Sequence, residues 1–234
     1  MLVAGLSFAG YIAIRALGAR NGPLAFGLIG GLASSTAVTV TASRLARGNP
    51  GLVAPFAGAI AAASATMMMR VMVLLAVFAP SLFDIAWPML TAGAAASLAA
   101  GFALRYSAAP SPNDEAALPP ADDLWFALMF GGLLTAISLA IHFAELHFGD
   151  AGLYALAAIS GTFDVDAFTL SAARTVGQAA LPVAARDAVL LAVAVNTLVK
   201  GVLAYSIGGT ALAKRVAAVI AVSVAAGAAV WVVA

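Results

Sequence analysis

Residues 151–174 read AGLYALAAISGTFDVDAFTLSAAR, an apolar run with two carboxylates, Asp164 and Asp166, near its middle. On a continuous helix Asp164 would lie about 20 Å beyond Asp150. A side chain as short as Asp cannot reach water from the centre of a bilayer. Carboxylates at such depth are costly, and by default they mark an ion or proton pathway. A straight helix would also turn positions 164 and 166 to different faces, because residues two apart do not face each other. A broken helix resolves the conflict. Ser160 and Gly161 supply flexible backbone for the break, and Asp166 is expected to act as N-cap of a half-helix Ala167–Arg174.

The same grammar occurs earlier in the chain. At a shift of 130 residues, 22–44 (GPLAFGLIGGLASSTAVTVTASR) falls on 152–174, and eight of the 23 pairs are identical. Among them are Gly22/Gly152, Gly31/Gly161, Thr39/Thr169 and Arg44/Arg174. Gly30 and Gly31 take the place of the flexible pair, and Ser34, Ser35 and Thr36 stand where the acids stand. The ungapped shift also lays Arg70 on Lys200 and Thr66 on Asn196. Matches in Gly, Thr and basic residues at one fixed shift point to an internal duplication, an arrangement common in transporters whose sites lie where the repeats meet.

Composition sets the surroundings. The 234 residues are 64% hydrophobic and 9% charged, with a mean hydropathy of +1.07; soluble domains carry about 25% charged residues. The chain is therefore expected to be an all-α integral membrane protein. Eight apolar blocks follow, roughly 2–18, 22–45, 52–79, 84–106, 124–147, 151–174, 186–207 and 211–233. They do not alternate as barrel strands would. The first reads as a span rather than a cleaved leader. The polar stretch 107–123 holds four prolines and four acids and reads as a linker. The expected organisation is a membrane repeat at 1–106, the linker at 107–123 and a second repeat at 124–234. Four full crossings per half would make the repeats parallel, whereas a re-entrant motif block would leave three and make them inverted. Basic residues fall nearly evenly on the two sides, so orientation is not legible.

Within this frame Asp164, Asp166, Ser34, Ser35, Thr36 and Asn196 are the candidate ion ligands. Asp164 and Asp166 are also the candidate metal ligands. Arg70 and Lys200 are the charge-compensating bases, and Gly30, Gly31, Ser160 and Gly161 the helix-break residues. The bland alternative is that the small residues form close-packing faces and the charges a structural network. His142 and Glu145, near the end of their block, read as interfacial. Arg44 and Arg174 suit the C-terminal ends of helices.

Whole classes of function drop out. Without cysteine there are no disulfides, iron–sulfur clusters or thiolate zinc sites. A net charge of +1 gives no nucleic-acid footprint. Walker, HExxH and GxSxG signatures are lacking, so no enzymatic activity and no resident cofactor are expected.

The strings GLIGGLASSTAVTVTASR, GDAGLYALAAISGTFDVDAFTLSAAR and NTLVKG resemble the C-terminal membrane domain of unknown function that follows MgtC/SapB-type domains in bacterial proteins. The resemblance covers Gly5 to Trp231, and SGTFDVDAFTLS is its most specific part. It implies a multi-pass protein of the bacterial inner membrane and, through the tie of MgtC/SapB proteins to Mg²⁺ homeostasis, a divalent cation as cargo. The expected function is a secondary transporter or channel-like permease for an inorganic ion, divalent or proton-coupled. The second reading is a non-transporting module that docks on and regulates an MgtC-type domain. The expected partners are the bilayer and an MgtC-type domain or a second copy of the chain.

Overall fold

The computed structural model describes residues 2–107, 153–175 and 182–233, all of them helical or in tight connections. The chain opens with α1 (Leu2–Gly48), which leaves helical geometry at Gly18 and at Ser34. A short 3₁₀ turn, Pro50–Leu52, leads into α2 (Val53–Phe78), followed by α3 (Pro80–Arg105). After the undescribed stretch come α4 (Leu153–Gly161), α5 (Val165–Thr175), α6 (Pro182–Gly208) and α7 (Thr210–Val233). The expected block 124–147, with His142 and Glu145, and nearly all of the 107–123 linker lie outside the described residues.

At Gly18 the chain reverses. Its φ of 76° lies in the left-handed region that glycine enters without steric penalty. A Cβ on Gly22 would sit 2.4 Å from the Cα of Ile14. Residues eight apart on one straight helix are about 12 Å apart, so the first stretch folds back on the second.

Five stretches are long and apolar enough to cross a bilayer: Arg20–Gly48, Pro50–Phe78, Pro80–Arg105, Pro182–Gly208 and Thr210–Val233. The protein is thus an all-α, multi-pass membrane bundle. Five of the eight expected blocks are such spans among the described residues, and 124–147 lies outside them. The 151–174 block divides into helices of 9 and 11 residues, about 14 and 17 Å long, each short of a hydrocarbon core of roughly 30 Å. Outward-facing Ile29, Leu32, Val73, Val77, Val202 and Val233 are exposed, as lipid-facing side chains must be.

The centre of the bundle is α2, buried at every residue from Val53 to Met68. Its VAPFAGAIAAASAT sequence explains this position. With no driving force to separate apolar side chains from lipid, membrane helices associate through close backbone approach over small residues. A Cβ on Gly27 would come within 2.2 Å of the Ala59 carbonyl oxygen, and Gly58 and Gly101 stand backbone to backbone. On the other side of the bundle a Cβ on Gly161 would meet the Ala192 carbonyl at 2.5 Å.

α3 and α7 run antiparallel where they touch. The Ser223 hydroxyl donates to the Gly93 carbonyl at 2.9 Å. Four residues further along α7, Gly227 faces the Met89 carbonyl, four residues back along α3. Gly93 and Ser223 lie 130 positions apart, the spacing at which the sequence overlays on itself.

Candidate ion site at two broken helices

The two interruptions are built alike and lie at matched positions, Ser34 and Asp164. Ser34 has extended backbone (φ −163°, ψ 111°), and its Oγ accepts the Ala37 N–H at 3.2 Å. Asp164 precedes α5, and its Oδ1 accepts the Asp166 N–H at 2.9 Å. Each side chain therefore satisfies a backbone donor that a helix start leaves unpaired. Below the caps, Thr39 donates to the Ser35 carbonyl and Thr169 to the Val165 carbonyl, both at 2.8 Å.

This geometry corrects two expectations. The cap of the second half-helix is Asp164, not Asp166. Asp166 lies in the first turn, where a carboxylate is favoured by the helix dipole. The breaks also come later than the glycines. Gly30 and Gly31 keep helical geometry, and Ser160 and Gly161 end α4, with the turn formed by Thr162–Asp164. Gly31 and Gly161 act instead as approach points: a Cβ on Gly31 would lie 2.9 Å from the Ala63 Cα. A glycine tolerates a break but does not demand one. The side chain able to cap decides where the helix restarts.

Both breaks open onto one cavity of about 220 Å³. Its wall includes Ser34, Ser35 and Thr36 from α1, Phe163, Asp164 and Asp166 from the second break, Met67 and Arg70 from α2, and Asn196 from α6. All six candidate ligands thus come together. Phe163 and Met67 were not foreseen, since nothing separates an apolar lining residue from core in so apolar a chain. Asp164 is exposed, and Asp166 and Arg70 keep 21% and 31% of their side-chain surface accessible, so the carboxylates are not sealed in a dry core.

The two bases diverge. Arg70 forms an ion pair with Asp166 and donates from a second nitrogen to the Gly31 carbonyl at 3.2 Å. It thereby bridges the end of one half-helix and the start of the other. Lys200, expected to join the acids, instead donates to Ser64 Oγ and reaches Met67 Sδ, both at 3.3 Å. It is 1% exposed, one turn beyond Asn196. The expected neutral four-charge cluster is therefore an Arg70–Asp166 ion pair with Asp164 on the same wall and a separate lysine behind it. Ser64 was missed as the partner of Lys200, because its shift mate is Ala194 and the overlay gives no polar match.

Two buried side-chain atoms of the wall residues lack any partner, Oδ1 of Asp166 and Oδ1 of Asn196. Both are oxygens. Among the described residues no three His, Asp or Glu side chains gather to hold a metal ion. A second, mostly apolar cavity of about 390 Å³ lies between α3, α6 and α7, lined by Met89, Leu190, Val224 and Trp231 among others. At its edge Asp187 accepts from Arg186 and from the Trp231 indole.

The family model described as "Domain of unknown function (DUF4010)" matches residues 1–208. The chain belongs to this family. The domain is associated with MgtC/SapB-family membrane proteins. An uncharacterized protein of Aquifex aeolicus (strain VF5) is 33% identical over 189 residues, covering 79% of this chain and 82% of that protein. No solved structure matches the chain.

Proposed function

We propose that this DUF4010 protein is a secondary transporter or channel-like permease for an inorganic ion, acting in the bacterial inner membrane through the cavity at the two breaks. One observation carries the reading. Two interrupted helices, 130 residues apart, present their caps to one charged cavity inside a largely apolar bundle. In lipid, irregular backbone is tolerated only where it is buried in protein or lines a water-filled space. Paired discontinuous helices at a repeat interface are a common construction of transporter sites.

The repeat reading gains support from the element boundaries. α2 and α3 open at Val53 and Pro80, α6 and α7 at Pro182 and Thr210, again about 130 apart. Equivalent helices α3 and α7 touch at equivalent residues and run antiparallel. A two-fold axis that reverses helix direction lies in the membrane plane, so we read the halves as inverted repeats. Each half then makes an odd number of crossings, as the first half does with Arg20–Gly48, Pro50–Phe78 and Pro80–Arg105. Ser35, Thr36, Asn196 and the two aspartates would hold the ion, with Arg70 and Lys200 balancing charge as the repeats rock about the site.

The docking-module reading draws on the MgtC association alone. It calls for Asp164 paired and dry, and the accessible Asp164 argues against it. Flux in proteoliposomes separates the two. Wild type should move an ion, and Asp166→Asn should abolish the movement. Asp164→Asn keeps a good N-cap while removing the charge, so loss of flux there reports on the ion and not on the fold. Absence of flux of every ion from folded wild type would reject transport.

A further inference from the structure

We propose that the cavity takes a monovalent cation, held between Asp166 Oδ1 and Asn196 Oδ1. The proposal rests on reading this cavity as the ion site and names the class of its ligand. Both buried, unpartnered side-chain atoms of the wall residues are acceptors. Asn196 is 3% exposed, and a buried carbonyl left without a donor costs free energy unless something positive meets it. The neighbouring Ser35 and Thr36 hydroxyls are neutral oxygens within the same wall.

Charge selects the class. On the wall one guanidinium, Arg70, stands against two carboxylates, Asp164 and Asp166, leaving one negative charge. Arg70 already holds one oxygen of Asp166, and Asp164 commits Oδ1 to its cap. Lys200 is not part of the wall and is turned to Ser64 and Met67. A divalent ion needs six or more oxygens and usually several free carboxylates. Here it would meet one half-engaged carboxylate with the Arg70 guanidinium beside it. A singly charged cation is balanced by the site as it stands, and neutral carbonyl and hydroxyl oxygens suffice to replace much of its hydration shell.

The test is thermal unfolding of the purified full chain in lipid nanodiscs, with NaCl, KCl or MgCl₂ added against choline chloride at equal ionic strength. Na⁺ or K⁺ should raise the midpoint by about 3–6 °C for each tenfold excess over its dissociation constant, and Mg²⁺ should not. Asn196→Val should lose the rise. Asn196→Asp, which adds a second negative charge to the wall, should bring a Mg²⁺-dependent rise that a purely structural Asn196 would not produce. A rise with Mg²⁺ in wild type, or none with any cation, overturns the proposal. Stabilisation by Na⁺ or K⁺ without flux in proteoliposomes would leave this site standing and reject transport.

Discussion

Asp164 and Asp166 are two residues apart and chemically identical, yet they do different work. Asp164 ends the Thr162–Asp164 turn and holds the N–H of Asp166; Asp166 turns to Arg70. Their presence in an apolar run is plain in the sequence, because nothing in such a run tolerates a carboxylate by accident. Which of them caps depends on where the turn closes, a matter of a single residue that side-chain type cannot decide. Position-specific substitution should separate the roles. Asp164→Ala and Ser34→Ala should each lower stability by about 1 kcal/mol, the usual cost of losing an N-cap, while Asp164→Asn and Ser34→Thr should stay close to wild type. Thermal unfolding in nanodiscs reads this directly, and equal losses for Ala and Asn at position 164 would argue against the cap.

At the scale of elements, the self-overlay at 130 residues finds the matching pieces without their arrangement. Arg70 and Lys200 occupy equivalent positions, and from sequence alone each is an equal candidate to meet the acids. Only packing reveals that Arg70 reaches across to Asp166 while Lys200 lies against Ser64 and Met67. The glycines mislead for a related reason. In soluble helices glycine often signals a break, but in lipid it also marks backbone contact, as Gly31 and Gly161 do. The antiparallel register of α3 and α7 leads to a prediction about sidedness. The chain has no cysteine, so single cysteines can be placed at Ser81 and Ala211, equivalent exposed positions near the starts of α3 and α7. A membrane-impermeant thiol reagent should label the two from opposite faces of the bilayer. Labelling from the same face would make the repeats parallel.

For the whole molecule, composition alone dictates membrane residence: 64% hydrophobic residues with 9% charged leave no soluble alternative. The inner structure follows from how lipid treats polar groups. Helices with Ala and Gly faces pack closely around α2, and Asp164, Asp166, Arg70 and Asn196 gather where two helices break. The cavity was legible in outline because Asp164, Asp166, Arg70 and Asn196 on its wall stand out inside apolar blocks. Its apolar wall and the position of Lys200 were not, since both arise from tertiary contact. Transport through this cavity requires that it exchange with water on both sides of the membrane. Thr36 is partly buried on its wall and carries no charge, so Thr36→Cys reports access without dismantling the Arg70–Asp166 pair. In proteoliposomes of defined orientation, the thiol introduced by Thr36→Cys should react with an impermeant reagent applied from either face. A folded Thr36→Cys protein that reacts from neither face, or from one face under every ionic condition, would contradict the account.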